Sequence, residues 1–358
     1  MTTKMVLLIL VLLGSPAAGV SETCTPPHAV ILVYHHVSDN TPSSTSVSPA
    51  LFERHLDYLD DNGFRIMALP QVVAKLRAGE DLPDSVVVFT FDDGYESVYS
   101  EAFPRLKKRG WPFTVFVCPE SINNSQGPVV TWDQLREMSL EGATVGNHGL
   151  NHEFMNRRRA DENLDIQVSR LELELIFSRK QIGDQYLPVM DLLAYPYGEY
   201  SPEVQRLVRK LGWVAFGQQS GAAGANCDFT CLPRFPMVGD FASLDNFGTK
   251  VSSLPLPTST VVRMDPNLEV EEAKKEAPTL SLMLETDCLG DGEVVAFSGA
   301  QGEIPCIWLD RKLGFLQIKA PNPLPPGRSR YNVTAPVTGT NRWYWFSQMW
   351  IVGQEHQN

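Results

Sequence analysis

The sequence has no long apolar run after its first residues, no Gly-rich nucleotide fingerprint, no CxxC pair, no HExxH and no basic run longer than three residues. Each absence removes a class of protein. Past Leu13 no stretch is apolar and long enough to cross a bilayer. Without a GxGxxG turn, a Rossmann-type dinucleotide site is not expected. Lys and Arg are spread along a chain of formal net charge -12, which argues against a nucleic-acid partner. A neutral or cationic substrate suits that balance better. The missing CxxC spacing argues against a zinc site built from cysteines.

What is present begins with an export signal. Lys4 precedes the short apolar run Met5–Leu13, and the small residues of 15–19 follow. This is the layout of a cleavable signal peptide over residues 1–23, and it predicts a secreted or periplasmic protein without a stable membrane span. Export permits disulfides among Cys24, Cys118, Cys227, Cys231, Cys288 and Cys306. Proximity favours the local pairs Cys227–Cys231 and Cys288–Cys306, although spacing alone does not fix connectivity.

Residues 24–251 alternate apolar β-rich runs with amphipathic helical runs. Strands are predicted over 29–37, 65–69, 85–91, 113–118, 143–147, 192–195 and 213–217. Ser85–Phe91, SVVVFTF, is the strongest, a β-branched run suited to burial on both faces. The alternation implies a parallel sheet covered by helices, and about seven strands favour a closed barrel. In such a barrel, function collects at the C-terminal strand ends, where His35, Asp92, Asp93, His148 and Tyr197 fall. Residues 252–276, rich in Pro, Ser and Thr and then in charge, read as a linker. Residues 277–358 read as a small all-β, sandwich-like accessory domain. Its aromatic segment Trp343, Tyr344, Trp345, Phe346 and Trp350 reads as sandwich core, with a sugar-binding platform as the other reading.

Three strand ends carry candidate chemistry. Thr90-Phe91-Asp92-Asp93-Gly94 places adjacent carboxylates on one rim. They are costly to bury without a cation or donors; an ordinary Asp-Gly turn is the alternative. His148-Gly149-Leu150-Asn151-His152 offers two imidazoles four residues apart, which can face one point or simply sit on the surface. A zinc-protease motif would need Glu where Gly149 stands. One Asp plus two His would give three protein ligands with an open position, as a water-activating divalent ion requires. Zinc is the default, with cobalt or nickel as alternatives. Ala194-Tyr195-Pro196-Tyr197-Gly198 could offer a hydroxyl, a ring or a backbone N–H to a ligand.

Together, TFDDG, the later HxxxH and the PYG element resemble the polysaccharide deacetylase family, the NodB-type carbohydrate esterases of family 4. The resemblance spans about residues 28–250. YHHV near the start and AYPYG further resemble its poly-N-acetylglucosamine deacetylase branch. The resemblance implies a distorted (β/α)7 barrel and removal of N-acetyl groups from a polysaccharide or oligosaccharide. It makes Asp92 the general base, Asp93, His148 and His152 the metal ligands, and the Tyr197 amide an oxyanion donor. Three positions depart from the family pattern. Gly149 replaces a Ser or Thr, Ala194 replaces an Arg, and the late histidine acid is missing, His356 being the only His beyond His152. His35 is the substitute acid candidate, while His36 should point away along the strand. Arg234 is a candidate to bind substrate or to orient Asp92. A carbohydrate O-acetyl esterase and a non-catalytic carbohydrate-binding protein are the alternative functions.

Overall fold

The computed structural model describes residues 24–353 apart from 189, 263–264 and 290–291. The expected signal peptide and His356 lie outside the described residues. No described helix is long and apolar enough to cross a membrane.

Six parallel strands form the curled sheet of a distorted (β/α) barrel. In order across it they are His28–Tyr34, Val86–Phe91, Phe113–Val117, Ala143–Asn147, Leu192–Ala194 and Val214–Phe216. Every residue of Val86–Phe91 is buried, as its unbroken apolar run predicts. Side-chain caps start the covering helices: Ser48 before Pro49–Asp61, Thr131 before Trp132–Leu140, Asn163 before Leu164–Asp184 and Ser201 before Pro202–Leu211.

The expected strand over 65–69 shrinks to Arg65–Ile66 beside the lower part of Val86–Phe91. The seam between first and last strands is instead bridged by residues 232–236. Leu232 pairs with Phe216, and Phe235–Pro236 pair with Leu32–Val33, all in parallel. Two prolines in five residues hide this segment from a reading based on strand propensity.

The C-terminal region is two facing sheets. One joins Leu254–Pro255, Trp343–Val352, Gly327–Pro336, Val295–Ser298 and Gly302–Ile304, with Asn267–Leu268 also beside Trp343–Val352; the other joins Thr258–Val262, Thr279–Leu284, Phe315–Lys319 and Cys306–Asp310. They share a core that includes Leu282, Leu316, Tyr331, Val333, Tyr344 and Trp350. The stretch expected to be a linker is therefore corrected: 252–276 contributes strands to both sheets. Its β-branched TSTVV run outweighs the Pro/Ser/Thr composition around it. The aromatic strand Trp343–Val352 is only partly core: Trp343 is exposed, and Trp345 and Phe346 are half-buried. Tyr344 and Trp350 are core, whereas Met349 and Ile351 pack into a barrel cluster, and Trp345 meets barrel Phe235 edge-on at 5.2 Å.

The cysteine pairing also differs from expectation. Cys24 is bonded to Cys288 across 264 residues, tying the start of the barrel to the sandwich. Cys306 and Cys231 carry thiols, so neither local pair forms. Adjacency in sequence was outweighed by docking of the two bodies, which brings distant residues within bonding reach.

One buried histidine gives the fold a pH dependence. The neutral ring of His55 meets the Tyr34 hydroxyl at 3.1 Å and donates from Nε2 to the Ala242 carbonyl at 2.7 Å. Burial lowers its pKa from 6.5 to about 4. The unfolded chain thus takes up this proton first as pH falls, so stability is lost between those two values. The loss amounts to about 3 kcal/mol for this group. Urea midpoints measured from pH 7 to 4 should fall along this window, and less steeply in His55→Gln. An equal slope in the variant would move the effect to other groups.

Candidate active site

Asp92 and Asp93 leave the end of Val86–Phe91 in opposite senses because the chain turns sharply there. Asp93 has φ 70° and Gly94 φ 67°. A Cβ on Gly94 would lie 3.0 Å from Val117 Cγ1, so the turn needs glycine for both conformation and space. His152 (φ 61°) and Tyr197 (φ 59°) are also left-handed. Such non-glycine residues cost about 1–3 kcal/mol each and collect where surroundings enforce them for function.

Asp93, His148 and His152 converge. One ligand atom from each lies within 4.8 Å of the others. Asp93 Oδ1 is 3.2 Å from Nε2 of His148 and 3.0 Å from Nε2 of His152. Yet Asp93 Oδ1 and His148 Nε2 are buried with no hydrogen-bond partner. Buried polar atoms aimed at one another without hydrogen-bond geometry fit a cation between them. His148 Nδ1 donates to the Ala194 carbonyl at 2.8 Å, which leaves the Nε2 lone pair facing that point. Burial alone would raise the Asp93 carboxyl; the two imidazoles hold it below the ordinary carboxylate range. Burial lowers His148, but Asp92 and Asp93 outweigh it and raise its pKa. One carboxylate oxygen and two imidazole nitrogens suit zinc or a similar divalent ion with open positions.

Asp92 sits behind this point and is fully buried. Arg234 grips it bidentately, Nη1 to Oδ1 and Nη2 to Oδ2, both at 2.7 Å. The guanidinium also donates to the Gly217 carbonyl and the Thr90 hydroxyl, and is itself fully buried. Its substrate-binding reading is therefore corrected: it has no surface to offer a glycan, and its geometry is that of a group orienting Asp92. Burial would raise the Asp92 carboxyl, and the Arg234 charge more than reverses that. Ala194 carries no charge, and the guanidinium that holds Asp92 comes from the seam segment 232–236.

The other departures find local answers. Asn147 Oδ1 accepts from the Gly149 amide at 2.7 Å, and Ser178 donates to the Gly149 carbonyl at 3.1 Å. These bonds brace the loop that lacks the family's hydroxyl residue. His35 faces the charges of Asp92, Asp93 and His148, with Nδ1 buried and lacking a hydrogen-bond partner. Burial, opposed by the two carboxylates, lowers its pKa. His36 turns away and stacks on Tyr95 at 3.6 Å. Tyr95 follows the Asp-Asp-Gly turn, and burial followed by the Asp93 charge raises its hydroxyl pKa. The sequence offers no signal for Tyr95 beyond its place after the Asp-Asp-Gly turn. Tyr197 contacts His152 edge-on at 4.4 Å and stacks on Phe154 at 3.9 Å, and the Arg157 guanidinium lies 3.4 Å from the Phe154 ring centroid.

A parallel barrel with an Asp-His-His cluster and a second carboxylate at the C-terminal strand ends defines the class. Residues 79–216 match the family described as polysaccharide deacetylase. Within it, the similarity extends to the poly-N-acetylglucosamine deacetylase branch. The chain is 23% identical over 258 residues to poly-beta-1,6-N-acetyl-D-glucosamine N-deacetylase of Escherichia coli (strain K12), covering 62% of this chain and 38% of that protein. It therefore spans well under half of that relative. YxkH of Bacillus subtilis (strain 168), named after the same family, is 27% identical over 234 residues, covering 65% of this chain and 79% of its own. In fold, the chain is similar to the solved structure of IcaB from Ammonifex degensii (TM-score 0.53, 24% identity, 64% of this chain and 97% of that one).

Proposed function

We propose that this chain is an exported, metal-dependent hydrolase that removes N-acetyl groups from an N-acetylglucosamine-containing polysaccharide, releasing acetate. The observation that carries the reading is the pair of orphaned buried atoms, Asp93 Oδ1 and His148 Nε2, beside a separate, Arg-anchored carboxylate. A binding protein has no use for a spare buried carboxylate next to an ion site. The relatives' named substrate supports β-1,6-linked poly-N-acetylglucosamine as the first glycan to try. The Cys24–Cys288 disulfide supports a secreted or periplasmic location.

A divalent ion, zinc by default, held by Asp93, His148 and His152 would polarise the amide carbonyl and lower the pKa of water to about 7. Asp92 accepts the proton of the attacking water. It has about four lone-pair sites, of which Arg234 uses two, so it can still accept one more bond. Its lowered pKa makes it a weak base, which suffices for an acidified water. The Tyr197 N–H stabilises the developing oxyanion. His35, kept neutral by burial, would relay to the leaving amine the proton that Asp92 takes from the water.

The test is acetate release from a panel of N- and O-acetylated glycans, with metal content measured on the same sample. Chelation should reduce release to background, and zinc, cobalt or nickel should restore it. Full activity in metal-free protein would refute the ion site. Release from O-acetyl substrates alone would make the protein an esterase.

A further inference from the structure

The loops that carry His152 and Tyr197 are both tied to the sandwich. Asn267, on the sandwich strand Asn267–Leu268, accepts from Asn156 Nδ2 at 2.8 Å and donates to the Tyr200 carbonyl at 3.1 Å. Arg328, on Gly327–Pro336, donates through Nη1 to the Tyr197 carbonyl, and its Nε lies 3.7 Å from Glu199 Oε1. Glu199 is 2% exposed and also accepts from Arg157 at 3.2 Å. Met349 and Ile351 of the sandwich pack in one cluster with Met155, Tyr195 and Tyr200 of the barrel.

An exposed arginine pair alone would count for little. Here the acceptors are different in kind. Glu199 is a buried carboxylate that needs its cationic partners. Tyr197 and His152 are held in left-handed conformations that persist only when their surroundings enforce them. From Tyr197 the ring chain Phe154–Arg157 returns to Glu199, so the grip on one loop reaches the other.

We propose that the sandwich is a working part of the active site, with Arg328 and Asn267 as positioning residues that hold the Tyr197 turn and the loop after His152 in their reactive geometry. The inference rests on the deacetylase reading for the roles of Tyr197 and His152. It concerns a part of the chain outside the region that matches the family.

The full chain is compared with Arg328→Ala, Arg328→Lys, Asn267→Ala and a control, Lys319→Ala, on an exposed pair with Glu276. The readouts are kcat and KM for acetate release, zinc affinity, melting temperature, and hydrogen exchange of the 152–157 and 196–200 amides. Misplacement of a reacting group by about 1 Å costs on the order of a hundredfold. Arg328→Ala should therefore lower kcat by roughly ten- to a hundredfold with KM little changed. Exchange at 196–200 should rise, and Arg328→Lys should recover part of both because it keeps one donor for the Tyr197 carbonyl. Asn267→Ala should raise exchange in both loops and weaken zinc binding. Unchanged kcat and exchange in Arg328→Ala, or losses that follow melting temperature equally in the control, would overturn the proposal. If the unaltered chain releases no acetate from any glycan, the deacetylase reading fails, while exchange and zinc affinity still decide whether the sandwich positions the loops.

Discussion

Asp92→Asn is expected to lower acetate release by roughly 10²- to 10⁴-fold, the usual contribution of a positioned general base, while bound metal stays at the level of the unaltered chain. The two halves of that expectation come from adjacent residues with separate tasks. Asp93 faces His148 and His152. Asp92 is turned into the Arg234 fork and touches neither imidazole at ion-pair distance among the described contacts. An amide keeps the shape of the carboxylate but cannot take the proton from water. Kinetics of acetate release together with metal analysis check this. Loss of metal along with activity would mean that Asp92 is itself a ligand.

Arg234→Leu is expected to destabilise the protein by about 3–5 kcal/mol, the cost of leaving one member of a buried ion pair without its partner. Asp92 would then be fully buried with its two strongest donors gone. The Gly217 carbonyl and Thr90 hydroxyl would lose a donor as well. Those bonds cross the seam that closes the barrel, so the damage is to closure as much as to the site. Arg234→Lys should recover only part of the loss, since an ammonium cannot reproduce the bidentate fork. Urea unfolding of both variants is the measurement. A loss under about 1 kcal/mol, the range of exposed pairs, would show that the guanidinium is not the closure element its burial indicates.

Removing the charge on both partners is informative in a different way. A buried pair replaced by apolar residues is often neutral for stability. An Arg234→Leu, Asp92→Leu double variant that folds well but is inactive would separate the structural cost of the pair from its catalytic use.

Much of this was legible without coordinates. The barrel could be read because continuous β-branched runs such as Val86–Phe91 fold as buried parallel strands wherever they occur. The rim residues could be read because a strand ends where its apolar run ends, so Asp92, His148 and Tyr197 are placed by their distance from that point. The seam segment 232–236 was not legible, since its pairing is supplied by the two strands it lies between and not by its own propensity. Cys24–Cys288 was not legible for the same kind of reason: a bond across 264 residues depends on how two bodies dock.

The amino-acid sequence by itself determined which chemistry-bearing residues exist and at which strand ends they emerge, because periodicity and local turn chemistry are short-range properties. Only the tertiary structure decided that Arg234 holds Asp92 and that Arg328 and Asn267 reach the loops of the site. Those contacts join residues 67 to 142 positions apart, and the pairing is set by barrel closure and by burial of the sandwich face, which no local pattern encodes.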